Sequence, residues 1–418
     1  MRVVVLGAGL LGVTSAYYLQ QLGHEVTVVD RHATPAAKAR GRVESERPPG
    51  LGTRPPGLPP GPPSRARDKG RWLKLYNRLR RRFAGLLDRA IGERRKADPV
   101  EDLVRLAAYS RQSVLALSDE AGMPQGSRTA GLLNIYTDAE MFKDRTARAA
   151  YWRKLGCEER LLTADEAVGM EPALQAVHGK IAGASYAVED PARDPSQFAA
   201  SLVFLCRAAG VRFMSKQTVV SLKERDGRID HVELVDADGQ PSTLRAQAYV
   251  LALGTASVAH AEHLNIAMPL RFVREYIVTV PVKDAARAPR ITLRDRQCKL
   301  RITRIETPAG ECLRISGTVL AGPDEQCEPD SDRFDAILRR VETLFPGAAD
   351  TSRATLDTQV HATSTSRLPM IGKTRLRNLF LNTAPGAQGW THACGAGKSI
   401  ARIVSGLRPE LEFAFTGF

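Results

Sequence analysis

The chain opens on an apolar run that breaks at a glycine. Val3-Val4-Val5-Leu6 leads into Gly7-Ala8-Gly9-Leu10-Leu11-Gly12, and Val13-Thr14-Ser15-Ala16-Tyr17-Tyr18-Leu19 follows. A second apolar run, Glu25-Val26-Thr27-Val28-Val29, ends on Asp30 and Arg31. The pattern predicts strand, glycine turn, helix, strand and acid, which is the layout of a dinucleotide-binding βαβ unit. Gly7 lets the backbone turn off the strand, Gly9 has no Cβ where a pyrophosphate would approach, and Gly12 lets the helix pack close to the sheet. The N–H groups and positive dipole end at the start of that helix suit a phosphate. Asp30 can accept hydrogen bonds from both ribose hydroxyls and would repel a 2′-phosphate, so the motif reads FAD or NAD. An ordinary glycine turn is the plainer reading, and the strand, helix and acid at the expected spacings argue against it.

Further along, apolar spacing predicts a helix from Asp98-Pro99 to about Glu120, a strand at 130–136, and helices near 138–155 and 163–168. A helix at 196–209 carries Phe198, Leu202 and Leu205 on one side. Thr218-Val219-Val220 is expected to continue the cofactor sheet. Runs 229–235 and 243–251 are antiparallel candidates around the turn Asp238-Gly239, and Tyr249-Val250-Leu251 is a buried strand ending on Gly254. Residues 272–320 alternate as strands, 331–345 form a helix, and 378–382 are a last buried strand before a glycine loop and the helix 391–406.

Two segments stand apart. Residues 35–64 hold nine prolines, five glycines and four arginines, a composition that forms neither helix nor interior strand. Residues 71–96 place Trp72, Leu75, Leu79, Phe83 and Leu86 at helical spacing, among ten Lys/Arg and only Asp88 and Glu93. Such a basic amphipathic helix either lies on an anionic membrane surface or packs on its own domain. The net charge of +14 over 418 residues fits an anionic partner: membrane, nucleic acid or a carboxylate substrate. No aromatic-basic array supports nucleic acid. The six cysteines form no CxxC pair, which favours free thiols and argues against a metal site. No apolar run is long enough to span a bilayer, and the chain enters a core strand directly, leaving no room for a signal peptide.

The glycine fingerprint with Asp30, the run Leu251–Gly254, and the C-terminal unit Asn378-Leu379-Phe380-Leu381-Asn382-Thr383, Gly386 and Gly389-Trp390-Thr391-His392-Ala393-Cys394-Gly395 resemble the FAD-dependent D-amino-acid oxidase/dehydrogenase superfamily. Within it, Leu344-Phe345-Pro346-Gly347 and the first nineteen residues are most similar to the small subunits of bacterial D-amino-acid dehydrogenases. The resemblance implies an α/β protein with an FAD-binding Rossmann-like domain of the glutathione-reductase type and a second, mainly antiparallel α+β substrate domain. It divides the chain into cofactor pieces 1–34, 196–265 and 357–418 and substrate pieces 141–195 and 266–356. Between them fall the insert 35–64 and the connecting helices 65–140. It implies FAD held by Gly7, Ala8, Gly9, Leu10, Leu11, Gly12, Asp30 and Arg31. Val219 would hold the adenine through its backbone, and Gly254, Gly386, Gly389, Trp390 and Thr391 would meet the flavin. The implied reaction is oxidation of a D-amino acid to a 2-oxo acid, with electrons passed to a quinone or respiratory chain. The implied place is the cytoplasm, with peripheral contact to the cytoplasmic face of the inner membrane as an alternative.

The departures from the family pattern fall on both the substrate side and the flavin side. The family's Gly-Leu-Arg-Pro is Gln359-Val360-His361-Ala362 here, and a histidine cannot match the bidentate grip of an arginine on a carboxylate. Lys-Gly-Tyr-Ser is Arg274-Glu275-Tyr276-Ile277, which keeps a tyrosine hydroxyl for the substrate but adds a carboxylate beside it. Gly-His-Gly is Ala384-Pro385-Gly386, and the Ser/Thr-Asn-Ala-Gly loop after the ribose acid is replaced by the insert. Tyr276 and His361 are the candidate substrate contacts, with Arg274, Arg301 and Arg304 as replacements for the missing arginine. Two other functions stay open: oxidation of glycine, sarcosine or another small amine, and a catalytically silent FAD-binding homologue.

Overall fold

The computed structural model describes residues 1–35, 99–120, 131–154, 159–187, 195–321 and 331–417. The insert beyond Pro35 and the basic helix expected at 71–96 lie outside the described residues.

The strands are β1 (Arg2–Leu6), β2 (Glu25–Val29), β3 (Leu132–Tyr136), β4 (Glu159–Leu162), β5 (Gly183–Ala187), β6 (Arg212–Met214), β7 (Thr218–Arg225), β8 (Arg228–Val235), β9 (Pro241–Leu244), β10 (Ala248–Leu251), β11 (Leu270–Pro281), β12 (Thr292–Asp295), β13 (Leu300–Thr307), β14 (Gly310–Ala321), β15 (Thr355–Ser364), β16 (Met370–Lys373) and β17 (Leu379–Thr383). The helices are α1 (Leu10–Gln21), α2 (Pro99–Glu120), α3 (Ala139–Ala147), α4 (Ala149–Lys154), α5 (Ala164–Met170), α6 (Pro195–Ala208), α7 (Ser257–His263), α8 (Ser331–Leu344) and α9 (Gly389–Val404).

Six strands form a sheet in the order β16-β17-β10-β1-β2-β6, parallel except for the antiparallel edge strand β16. The period of two along β1 explains its two faces. Val3 and Val5 pack with Val13 of α1, Leu202 of α6 and Ile400 of α9, while Val4 and Leu6 pack with Leu222, Val232 and Leu234 of a three-stranded antiparallel sheet, β7-β8-β9. Buried on both sides, β1 reads as an unbroken apolar run. Each such side chain contributes about 1.5–3 kcal/mol on burial. Helix α9 reaches α1 and α2 through glycines: a Cβ on Gly397 would lie 2.7 Å from Thr14, and one on Gly395 would lie 3.0 Å from the Ser110 nitrogen.

Eight strands form the second sheet, in the order β15-β11-β14-β13-β12-β3-β5-β4, antiparallel except for the β12–β3 pair. One face carries Tyr276, Val278, Ile302, Leu313 and Ile315 against Ile337, Val341 and Leu344 of α8 and Leu174 and Val177 of the 3-10 segment Pro172–Lys180. Two buried carboxylates pin this layer. Glu171 accepts from the Arg290 and Ile291 N–H groups at 2.7 and 2.8 Å, and Asp295 takes the Arg340 Nε at 2.5 Å.

Three expectations are corrected. Residues 218–220 do not continue the cofactor sheet. That place is taken by β6, because Lys216 turns the chain with a positive φ of 57° and sends β7 into the three-stranded sheet. The run 243–251 is not one strand. It bends where the Ala246 N–H donates to Tyr249 Oη at 2.7 Å, leaving β9 antiparallel to β8 and β10 parallel to β1. The stretch 138–155 is two helices, split at Arg148. Strand β15 pairs with β11 along its whole length.

Candidate active site

The first half of the site is built by α1 and β2. Gly7 holds a φ of +106°, and a Cβ there would stand 2.4 Å from the Ala252 carbonyl oxygen. A Cβ on Gly12 would stand 1.8 Å from the Gly7 oxygen, so the turn and the helix are in direct backbone contact. A Cβ on Gly9, in contrast, would meet nothing within 4 Å. Gly9 is the N-cap of α1, and no side chain caps that end. The N–H groups of Leu10, Leu11 and Gly12 therefore begin a helix in front of open space, which is where an anion is favoured.

Asp30 closes β2 beside this turn. Its two carboxylate oxygens accept from the Ala8 N–H at 2.6 Å and the His32 N–H at 2.8 Å, and each oxygen keeps a further lone pair. The Asp30 N–H donates to Met214, and its carbonyl accepts from Gln217, which ties the β6–β7 turn to the acid. Val219 lies two residues beyond Gln217, half-buried. Arg31 is exposed and donates to the His32 ring at 3.5 Å.

The second half gathers at the start of α9. Gly254, three residues beyond the end of β10, has a φ of +63°, and its carbonyl accepts from Thr383 Oγ1 at 3.4 Å. Ala384 and Gly386 both have positive φ, 59° and 62°. For alanine this is a strained conformation held by its surroundings. Gly389 and Trp390 are half-buried, Thr391 is exposed, and no side chain caps α9. Trp390 meets Phe198 of α6 edge to face at 5.1 Å. Just inside the helix, His392 is 1% exposed, and burial pushes its imidazole down to about 4. Neither its Nδ1 nor the Oδ1 of Asn382 has a hydrogen bond among the described residues. Cys394 is inert, its thiol pushed up to about 12 by burial.

The eight-stranded sheet adds a polar face. Directly paired residues on neighbouring strands share a face. Ser185, Asn134, Arg294, Arg301 and Ser316 are successive partners across β5, β3, β12, β13 and β14, and the row continues through Ile277 to Asp357. Glu275 lies two residues from Ile277 and so faces the same way. His361 Nε2 meets Glu275 Oε2 at 2.9 Å on this face. Thr363, two residues on, is the neighbour that a Cβ on Gly386 would approach to 3.2 Å. The polar face thus runs up to the loop that leads into α9.

Tyr276 and His361 are not brought together. Tyr276 is 3% exposed on the opposite face, in the core, with the Arg333 guanidinium 5.5 Å from its ring centre. Of the three arginines raised by the sequence, Arg301 alone shares the face of His361. Arg274 lies on the Tyr276 side, 5% exposed, and Arg304 is bound to Glu311 at 2.5 Å and to the Ala285 carbonyl. Arg294, Asn134 and Ser185 escaped the sequence reading; alternation along a strand marks one face, but only the register joins residues from five strands in a row.

A family model for FAD dependent oxidoreductases, DAO, matches residues 2–403. The chain belongs to the DAO family. A D-amino acid dehydrogenase of Dechloromonas aromatica (strain RCB) is 34% identical, covering 99% of this chain and 99% of its own. Another, of Paramagnetospirillum magneticum, is 34% identical over 98% and 96% of the two chains. Among solved structures, the L-proline dehydrogenase of P. horikoshii superimposes with a TM-score of 0.72 at 17% identity, covering 98% of this chain and 94% of that one. Glycine oxidase from Geobacillus kaustophilus gives 0.72 at 20% identity, over 98% and 96%. The cofactor of the family is FAD, and the DAO residues here fit it: open space in front of Gly9, uncapped starts on α1 and α9, an acid at the end of β2, and two buried polar atoms, His392 Nδ1 and Asn382 Oδ1, that have no hydrogen bond among the described residues. Among the described residues no helix is long and apolar enough to cross a membrane.

Proposed function

We propose that this DAO protein oxidises D-amino acids to 2-oxo acids and ammonia, passing electrons to a quinone or another respiratory acceptor. The observation that carries the reading is the near full-length likeness to two D-amino acid dehydrogenases, at 34% identity each. The chemistry that FAD would supply when bound is acceptance of the hydride leaving the substrate Cα. Water then hydrolyses the imine product, so the protein has little proton chemistry to perform.

The chain's own task is holding and orienting. In this reading Gly7 to Gly12 seat the pyrophosphate, Asp30 takes the ribose with Arg31 beside it, and Val219 lies along the adenine. Gly254, Gly386, Gly389, Trp390 and Thr391 surround the flavin. The uncapped start of α9 stabilises negative charge that develops on reduction. His361 contributes to the substrate side from the polar face. Tyr276 acts as a positioning residue that fixes β11 from the core side. Contact with an anionic membrane through 71–96 belongs to the same proposal, since the electron acceptor lies in or at a membrane.

The test is anaerobic addition of D-alanine to the yellow protein. Loss of the visible flavin absorbance, followed by its return with a quinone, is the expected result. No bleaching by any of a panel of D-amino acids would overturn the reading. A second reading, oxidation of glycine, sarcosine or proline, draws on the altered Glu275–His361 pair and the likeness in fold to glycine oxidase and L-proline dehydrogenase. Bleaching by those compounds with none by D-amino acids would select it.

A further inference from the structure

Glu275 of β11 sits on the polar face of the eight-stranded sheet with a histidine as its partner. His361 Nε2 donates to Glu275 Oε2 at 2.9 Å, and no arginine or lysine pairs with this carboxylate among the described residues. A histidine N–H orients a carboxylate, but unlike a guanidinium or an ammonium it carries no permanent charge. The register partners of Glu275 are Thr318 of β14 and Gln359 of β15, both uncharged. Besides His361, the charged residue of β15 on this face is Asp357, opposite Ile277, and it has the same sign as Glu275. The Glu275 side chain is only 19% exposed, so water screens it less than a surface carboxylate, and a cation that reached it would be held more strongly. Its same-face neighbours along β11 are Val273 and Ile277, which suit the methylene stem of a long cationic chain. Position ties the pair to the loop before α9. Thr363, two residues beyond His361 on the same face, forms a β-bridge with Pro385. Two residues of strand span about 7 Å, comparable with the length of a lysine or arginine side chain.

We infer that Glu275, oriented by His361, selects D-amino acids with a cationic side chain over neutral ones of the same carbon skeleton. Glu275 takes the side-chain ammonium or guanidinium of the substrate, and His361 is the positioning residue that holds the carboxylate in place. The inference rests on the proposed D-amino-acid oxidation for its reaction, and it names the substrate class of that same site.

The experiment uses the FAD-loaded full chain, with D-lysine and D-norleucine as cationic and neutral substrates. Wild type should show a KM for D-lysine ~10–100-fold below that for D-norleucine. Glu275→Gln should bring the two KM values within about threefold of each other. His361→Asn should shrink the ratio without abolishing it, a change in discrimination that a purely structural loss does not produce. Glu311→Gln, which removes the partner of Arg304, should leave the ratio as in wild type. Separately, methylguanidinium is titrated into each protein at constant ionic strength, read by the flavin spectrum and the thermal midpoint. Wild type should bind it saturably, and Glu275→Gln should lose that binding while keeping its flavin. This second arm reports on Glu275 even where no D-amino acid bleaches the flavin, so the two proposals fail separately. Equal KM values for D-lysine and D-norleucine in wild type would overturn the inference. So would methylguanidinium binding that is absent from wild type or unchanged in Glu275→Gln.

Discussion

The two large sheets meet their tasks in opposite ways. In the parallel sheet, position is set by backbone touching backbone: Gly12 against Gly7, Gly7 against Ala252, Gly397 against Thr14. The eight-stranded sheet has one face of ordinary apolar packing, and its other face is a row of polar side chains joined only by register. The first arrangement admits almost no substitution. The second can change its side chains strand by strand while the fold stays intact. That contrast fits the N-terminal glycine fingerprint, which keeps the family pattern, and the stretches 274–277 and 359–362, which depart from it.

The sharpest break of this comparison is Gly12→Ala. Its Cβ has no room at 1.8 Å from a backbone oxygen, so the helix must move. The expected loss is more than 4 kcal/mol of stability, with protein that expresses poorly and carries no flavin, measured by denaturant unfolding and absorbance. Next comes Asp295→Asn on the core side of the second sheet. It leaves Arg340 without its partner and should cost about 3–5 kcal/mol while flavin binding is retained. Equal loss of flavin would mean the two sheets do not fail independently.

His392 supplies a pH test of the first sheet's packing. Its folded value is depressed below the unfolded one, so the unfolded chain binds a proton that the folded chain does not. Stability is therefore complete above about 6.5 and is lost as pH falls toward about 4, by roughly 3 kcal/mol at most. Thermal midpoints across that window should fall less steeply for His392→Asn than for wild type. Asp30→Ala removes a charged acceptor and should weaken FAD by ~10–100-fold in reconstitution titrations, with fold stability changed little. The smallest effect on the fold belongs to His361→Ala on the polar face. A loss of about tenfold in kcat/KM with stability within ~1 kcal/mol of wild type is expected. A larger collapse of the fold would place His361 with the rigid set.

Much of the first sheet was legible in advance. Residues 3–30 are contiguous, and glycine spacing, apolar runs and the closing acid carry their meaning locally. The helix from Pro99 to Glu120 and the unit 378–404 were likewise visible within single stretches. The strand at 355–364 was not, because Thr355-Leu356-Asp357-Thr358-Gln359 has no clear alternation and its pairing partner is β11. The turn at Lys216 that diverts β7 had no glycine or proline to announce it.

The candidate substrate residues show the same limit. Tyr276 and His361 read as a pair because each aligns with a family motif, but adjacent positions on a strand face opposite ways, and Tyr276 sits beside Glu275, not with it. The cofactor, the reaction class and the loss of one arginine were written in short contiguous motifs, where chemistry depends on neighbours along the chain. Which side chains share the polar face was decided by the tertiary structure alone, since hydrogen-bond register aligns residues 7 to 160 positions apart and a shift of one position would turn each of them to the other side.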